Sequence, residues 1–209
     1  GGSQGLDLDV GTLSITGTGS GNVILTEAST LLLGATTIGG TFSATATTGD
    51  ITDSGALAIT GAATFITGAT GSNIILDGSS NAFGAAVTMT ADDGTEAFGN
   101  ITFVDSAAID LDSSASANGD LFINAGTDGA LSGNLSITAT TGNITQNIAL
   151  TIGGTSSFTT SASNATITLS TDSNAFTGAV SAVTAGSSGD VTIDNGTTAL
   201  NIGTLTANG

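Results

Sequence analysis

Apolar and polar residues alternate along most of this chain. Leu6-Asp7-Leu8-Asp9-Val10, Leu135-Ser136-Ile137, Thr166-Ile167-Thr168-Leu169 and Val191-Thr192-Ile193-Asp194 each send every second side chain to the same face. A period of two is that of a strand with one face buried and the other solvated. Thr, Val and Ile fill many of these positions and suit a pleated surface. Gly-Asn and Gly-Asp pairs separate the runs; they tolerate positive φ and mark corners. No stretch carries a 3.6-residue period, so almost no helix is expected.

The pattern repeats on two scales. Residues 40–88 align without gaps on residues 133–181, and the large side chains coincide: Phe65 with Phe158, Ile74 with Ile167, Leu76 with Leu169 and Val87 with Val180. The tripeptide Asn81-Ala82-Phe83 returns as Asn174-Ala175-Phe176. Two long repeats of about 93 residues, near 1–98 and 99–190, fill the chain. Leu200-Asn201-Ile202-Gly203-Thr204-Leu205 resembles Leu8-Asp9-Val10-Gly11-Thr12-Leu13, so a third repeat begins near residue 191. Within each long repeat, a Gly or Ser followed by alternating residues occurs near Gly21, Gly49, Ser72, Gly99, Gly119, Gly142, Ser163 and Gly189, about 24 residues apart. Self-similarity of that period marks a solenoid or an array.

The expected fold is all-β: one continuous parallel β-helix over residues 1–209, with about eight to nine coils stacked at roughly 4.8 Å. No coil buries its apolar face alone, so stability comes from stacking on neighbours. Like side chains are expected to form ladders inside. The core candidates are Ile51, Leu57, Ile59, Phe65, Ile74, Leu76 and Phe83, with their counterparts Ile144, Leu150, Ile152, Phe158, Ile167, Leu169 and Phe176. A tandem array of β-sandwich domains is the alternative, and it requires hairpin-linked strands.

The runs SGNLSITATTGNITQ, ALAITGAATF, SNAFTGAV and GDVTI resemble the repeats of large bacterial exoproteins of the filamentous-haemagglutinin type. The resemblance spans essentially the whole chain. It implies a right-handed parallel β-helix forming a long rod within a giant secreted surface adhesin, with export and adhesive regions elsewhere. An extracellular or cell-surface location follows from it, as does association with the same kind of repeat, end to end or laterally.

Composition narrows the chemistry. The chain has no Lys, Arg, His, Cys, Pro, Trp or Tyr, and its 17 acidic residues give a formal charge of -17. Phosphate backbones are held by Lys and Arg, so nucleic acid is not an expected partner. No apolar run is long enough for a membrane helix. The single methionine is Met89, which points to a mature segment or a piece of a longer protein. The usual bases and nucleophiles are missing, so no enzyme and no cofactor are expected.

Carboxylates remain as candidate ligands for Ca²⁺: Asp7 with Asp9, Asp110 with Asp112, and Asp92, Asp93 and Glu96. They support a calcium-dependent matrix or S-layer-like reading only weakly, because Asp50, Asp77 and Asn100 become Asn143, Ser170 and Asp190 in the second repeat. Interchange among Asp, Asn and Ser suits corner residues that bond nearby backbone. Thr-x-Thr arrays would suit ice binding. Here Thr45-Ala46-Thr47 and Thr138-Ala139-Thr140 recur once per long repeat, with Thr88-Met89-Thr90 and Thr166-Ile167-Thr168 reading out of step.

Overall fold

A computed structural model describes residues 6–8, 10–91, 98–112, 117, 119–124, 130–171 and 173–208. These residues contain strands, turns and bends and no helix. The strands form four parallel sheets that stack as a β-solenoid. Sheet I runs, in spatial order, through Leu6–Leu8, Val23–Glu27, Phe42–Ala46, Ala63–Thr67, Val87–Ala91, Asp120–Ile123, Ile109–Leu111, Ile144–Gln146, Ile167–Leu169 and Val191–Ile193. Sheet II runs through Leu31–Leu33, Ile51–Asp53, Ile74–Leu76, Ile101–Asp105, Leu135–Ala139, Ser156–Ser163, Val180–Ala185 and Ile202–Thr206. Two short sheets complete the wall. Sheet III holds Thr16–Gly17, Thr36–Ile38, Leu57–Ile59 and Ala82–Phe83; sheet IV holds Thr151–Ile152 and Ala175–Phe176. The β-sandwich alternative is excluded, since successive strands of each sheet pair in parallel across coils instead of through hairpins.

The order of sheets along the chain changes halfway. From residue 23 to 91 each coil visits sheet I, then II, then III. From residue 135 to 185 each coil visits sheet II, then I, then IV. Strand direction within sheets I and II is constant throughout, because every pairing in them is parallel. Sheet III therefore closes the side where sheet II ends and sheet I begins, and sheet IV closes the opposite side. Repeat-equivalent strands change places accordingly: Ala63–Thr67 lies in sheet I, whereas its counterpart, which begins at Ser156, lies in sheet II. The two long repeats are thus related by a half-turn about the stacking axis.

The change of side occurs between residues 101 and 135. Asp120–Ile123 inserts between Val87–Ala91 and Ile109–Leu111, so the chain steps back one level before going on. Coil length records the step. Register partners lie 21 residues apart at Phe42 and Ala63, but 34 apart at Ile101 and Leu135. The 24-residue beat records it too. Gly49, Ser72 and Gly99 precede strands of sheet II, whereas Gly119, Gly142 and Gly189 precede strands of sheet I.

All fourteen core candidates are buried, Leu150 being the most exposed at 5%. The stack is aliphatic along one column of sheet II, Leu31–Ile51–Ile74–Ile101–Leu135. A second such column, Ile109–Ile144–Ile167, stands in sheet I, whereas two other columns of that sheet alternate in size. One column of sheet I reads Val23–Phe42–Ala63–Val87–Leu121, and the next reads Leu25–Ala44–Phe65–Met89–Ile123. A large ring in one column stands beside Ala in the other, which fills a fixed coil spacing at native density. Phe42, Phe65 and Phe83 then meet edge to face, with centroids 5.7 and 6.1 Å apart. Phe122, by contrast, is only half-buried.

Candidate functional site

Two hydrogen-bond ladders run along the corners. The first stands before sheet II. Asp50 Oδ1 accepts the N–H of Asn73 (2.7 Å), Asn73 Oδ1 that of Asn100 (2.8 Å), Asn100 Oδ1 that of Asn134 (2.8 Å), and Asn134 Oδ1 that of Thr155 (2.7 Å). This ladder crosses the junction between the repeats without a break. Asn143 gives Thr166 the same bond in sheet I, at 2.9 Å. Sequence reasoning assigned these residues to local turns. They bond instead to the next coil, because stacking brings that backbone within side-chain reach.

The second ladder serves the short sheets, and the sequence reading had not singled it out as a site. The N–H groups of Leu57, Leu150 and Phe176 donate to Oδ1 of Asn81, Asn174 and Asn195, at 2.9, 2.9 and 2.7 Å. Phe83 donates to Asp105 Oδ1 at 3.1 Å. Asp105 stands where sheet III stops, and its carboxylate takes the N–H that a further strand would have taken. The whole return of Asn81-Ala82-Phe83 as Asn174-Ala175-Phe176 was the available signal for this ladder.

Asp53 supports the same corner. Its carboxylate accepts from Asp77 N–H (3.0 Å), Gly78 N–H (3.2 Å) and Asn81 Nδ2 (2.8 Å). The repeat places Gln146 there, and its Oε1 accepts from Asn174 Nδ2 at 2.9 Å. A neutral amide replaces the carboxylate with the same bond, so the role is that of an acceptor. Burial raises the Asp53 carboxyl above its usual range, against the three donors and with the help of the Asp77 charge. Burial likewise raises Asp105, opposed by the N–H groups of Phe83, Ser106 and Ala107. An open groove of about 300 Å³ beside Asp53 is lined by Ser54, Gly55, Asp77 and Ser79 among others. With three donors on Asp53 already, it offers a cation no free carboxylate pair.

The proposed calcium ligands fare unevenly. Asp9, Asp92, Asp93, Glu96 and the side chain of Asp7 lie outside the described residues. Asp110 and Asp112 flank the buried Leu111, and Asp110 Oδ1 accepts from Thr145 Oγ1 at 3.0 Å. Among the described residues no group of three carboxylates stands close enough to hold a metal ion. Two further carboxylates are buried: Asp120, whose Oδ2 accepts from the Ala117 N–H at 2.6 Å, and Glu27, which points into the core of sheet I, where Oε1 accepts from the Ser29 N–H and hydroxyl and Oε2 has no partner.

The outward faces correct the threonine spacing read from the sequence. Thr88 and Thr90 are in register with Thr64 and Ile66, and these with Ser43 and Thr45 and then Ile24 and Thr26. The counterpart face on sheet II stacks Thr102 and Val104, Ser136 and Thr138, Ser157 and Thr159, and Ser181 and Val183. The outward positions named on both faces are uncharged, Val104 among them being buried, and on sheet II the column of Thr102 continues through Ile75, Thr52 and Leu32.

Among the described residues no helix is long and apolar enough to cross a membrane. Comparison with curated proteins and with solved structures gives no match. A family of repeats of unknown function (DUF5649) matches at residues 20–90 and 98–183, the two stretches that the half-turn relates. With most of its length covered by that match and its coils stacked in parallel, this repeat β-solenoid chain belongs to the DUF5649 family.

Proposed function

We propose that this chain is a non-catalytic, load-carrying segment of a bacterial extracellular fibre or surface adhesin, a stiff spacer that holds other parts of the assembly away from the cell. The observation that supports it best is the continuity of sheets I and II, and of the Asn ladder before sheet II, across the repeat junction. Solenoid repeats of this sort commonly serve structure, and a half-turn per repeat lets further repeats extend the rod along one axis. Adhesion to a host or neighbouring cell belongs to regions beyond this segment. The open strand edges at either end suit further repeats or a second copy.

Small-angle scattering tests the reading. The chain is expected as a rod on the order of 40 Å long, from about eight coils at ~4.8 Å. A tandem of two such chains doubles that length at unchanged cross-section. A compact or beaded particle overturns the spacer role.

A further inference from the structure

The two stretches matched by the family differ in length, 71 residues at 20–90 against 86 at 98–183, so the second repeat is longer by 15. Leu31–Leu33 and Ile109–Leu111 follow Val23–Glu27 and Ile101–Asp105 in the same way, and Phe42 and Leu135 then open the next coil of each repeat. The extra residues therefore lie between Leu111 and Leu135, where Asp120–Ile123 stands. Ile101 and Leu135 are 34 residues apart. Less 15, that is the 19 of Val23 and Phe42, so a coil of the first repeat closes without the added strand.

The added strand is weakly held. It shares two register pairs with Ile109–Leu111 and three with Val87–Ala91, whereas Val87–Ala91 shares five with Ala63–Thr67. Its pairing sets Asp110 beside Asp120, and like charges in register weaken a strand pair. Phe122 and Ile123 are only half-buried. It also unbalances the stack. Sheet I has three strands between Ala63–Thr67 and Ile144–Gln146, whereas sheet II has two between Ile74–Leu76 and Ser156–Ser163. Over the same coils sheet I is taller by one strand spacing, about 4.8 Å.

We propose that Asp120–Ile123 is a detachable strand: it leaves sheet I, Ile109–Leu111 closes onto Val87–Ala91, and the repeat junction changes height on one side. The pleat permits the exchange. Leu111 and Leu121 are in register, and each is 1% exposed. Leu111 takes the place of Leu121 over Val87 with no side chain changing face. Release separates Asp110 from Asp120 but uncovers Leu121, so the seated strand is the major state. A change of height on one side tilts the second repeat against the first. The rod thus has a joint with two settings at its junction, a property that the spacer role does not require.

Hydrogen exchange on the wild-type chain tests the release. The amides of Leu121–Ile123 are expected to exchange at least about tenfold faster than those of Ala63–Thr67 and Ile144–Gln146, through a local opening. Asp110→Asn is expected to slow them about threefold. Equal protection of the three strands overturns the proposal. Spin-label distances test the exchange, since the chain has no cysteine of its own. One labelled pair replaces Thr64 and Thr168 on sheet I, and another Thr52 and Ser157 on sheet II. Leu121→Asp, which drives the strand out, is expected to shorten the sheet I distance by ~4.8 Å and to leave the sheet II distance as it was. Deletion of residues 112–126, which restores the coil length of the first repeat, is expected to give the same shortened distance. A sheet I distance that the deletion leaves unchanged, lengthens or spreads refutes the exchange. So does a deletion chain that melts without cooperativity, because the coil then does not close without the strand.

Discussion

Asp105 takes the backbone N–H of Phe83, 22 residues earlier, in the way that Asn81, Asn174 and Asn195 take those of Leu57, Leu150 and Phe176. Three amides and one carboxylate thus fill one structural position. The amide makes the bond without burying a charge. Asp105→Asn is therefore expected to raise the melting temperature at pH 7, and thermal melts of the two proteins check it. A lowered melting temperature would show that the carboxylate's further bonds to Ser106 and Ala107 outweigh its burial.

The pH dependence follows from the same groups. Asp53 and Asp105 both have carboxyls raised by burial. A raised folded-state value means that the ionised form is the costly one. The stabilisation is complete below the ordinary value of 3.8 and is lost as pH rises through the elevated values. Stability should increase from pH 7 toward pH 4, opposite to ordinary acid unfolding. Melts at low protein concentration across that range test the sign, and the combined Asp53→Gln, Asp105→Asn variant should flatten the curve.

Asp53→Gln copies the natural Gln146 and is expected to cost little. Asp53→Ala strands the donors of Gly78 and Asn81, at about 1–3 kcal/mol for partly buried groups left unpaired. Chemical denaturation of both variants separates an acceptor's role from a charge's.

Gly154 stands over Gly133 in the corner before sheet II, and a Cβ there would lie 2.4 Å from the Gly133 carbonyl oxygen. The Cβ points along the stacking axis into the coil below, and neither backbone can retreat without breaking its ladder. Gly154→Ala should cost on the order of 2 kcal/mol or more, above the usual effect of a surface substitution. An unchanged midpoint of denaturation would mean that the coils separate easily.

Phe176 is fully buried in sheet IV, 6.1 Å from the Phe158 ring. Phe176→Ala is expected to cost about 3–5 kcal/mol. Hydrogen exchange should show the loss concentrated in neighbouring coils, since each coil is held only by those it touches.

Alternation in segments such as Thr166-Ile167-Thr168-Leu169, the Gly-Asn corners and the return of large residues after 93 positions specified parallel coils and placed Ile51 over Ile74. Those signals are local or periodic, and a period says which residues stand in equivalent positions. It does not say which sheet a position joins. Ala63–Thr67 and its counterpart from Ser156 carry one pattern yet lie in different sheets, because the change of side between residues 101 and 135 turns the second repeat by half a turn. The acceptor roles of Asp53 and Asp105, the alternation of Phe with Ala in the core and the columns of the outward faces depend likewise on what lies one coil above or below. Sequence fixes the side a residue faces through the pleat. Its neighbour along the axis is set by the length of every intervening turn, and only the stacked chain decides that.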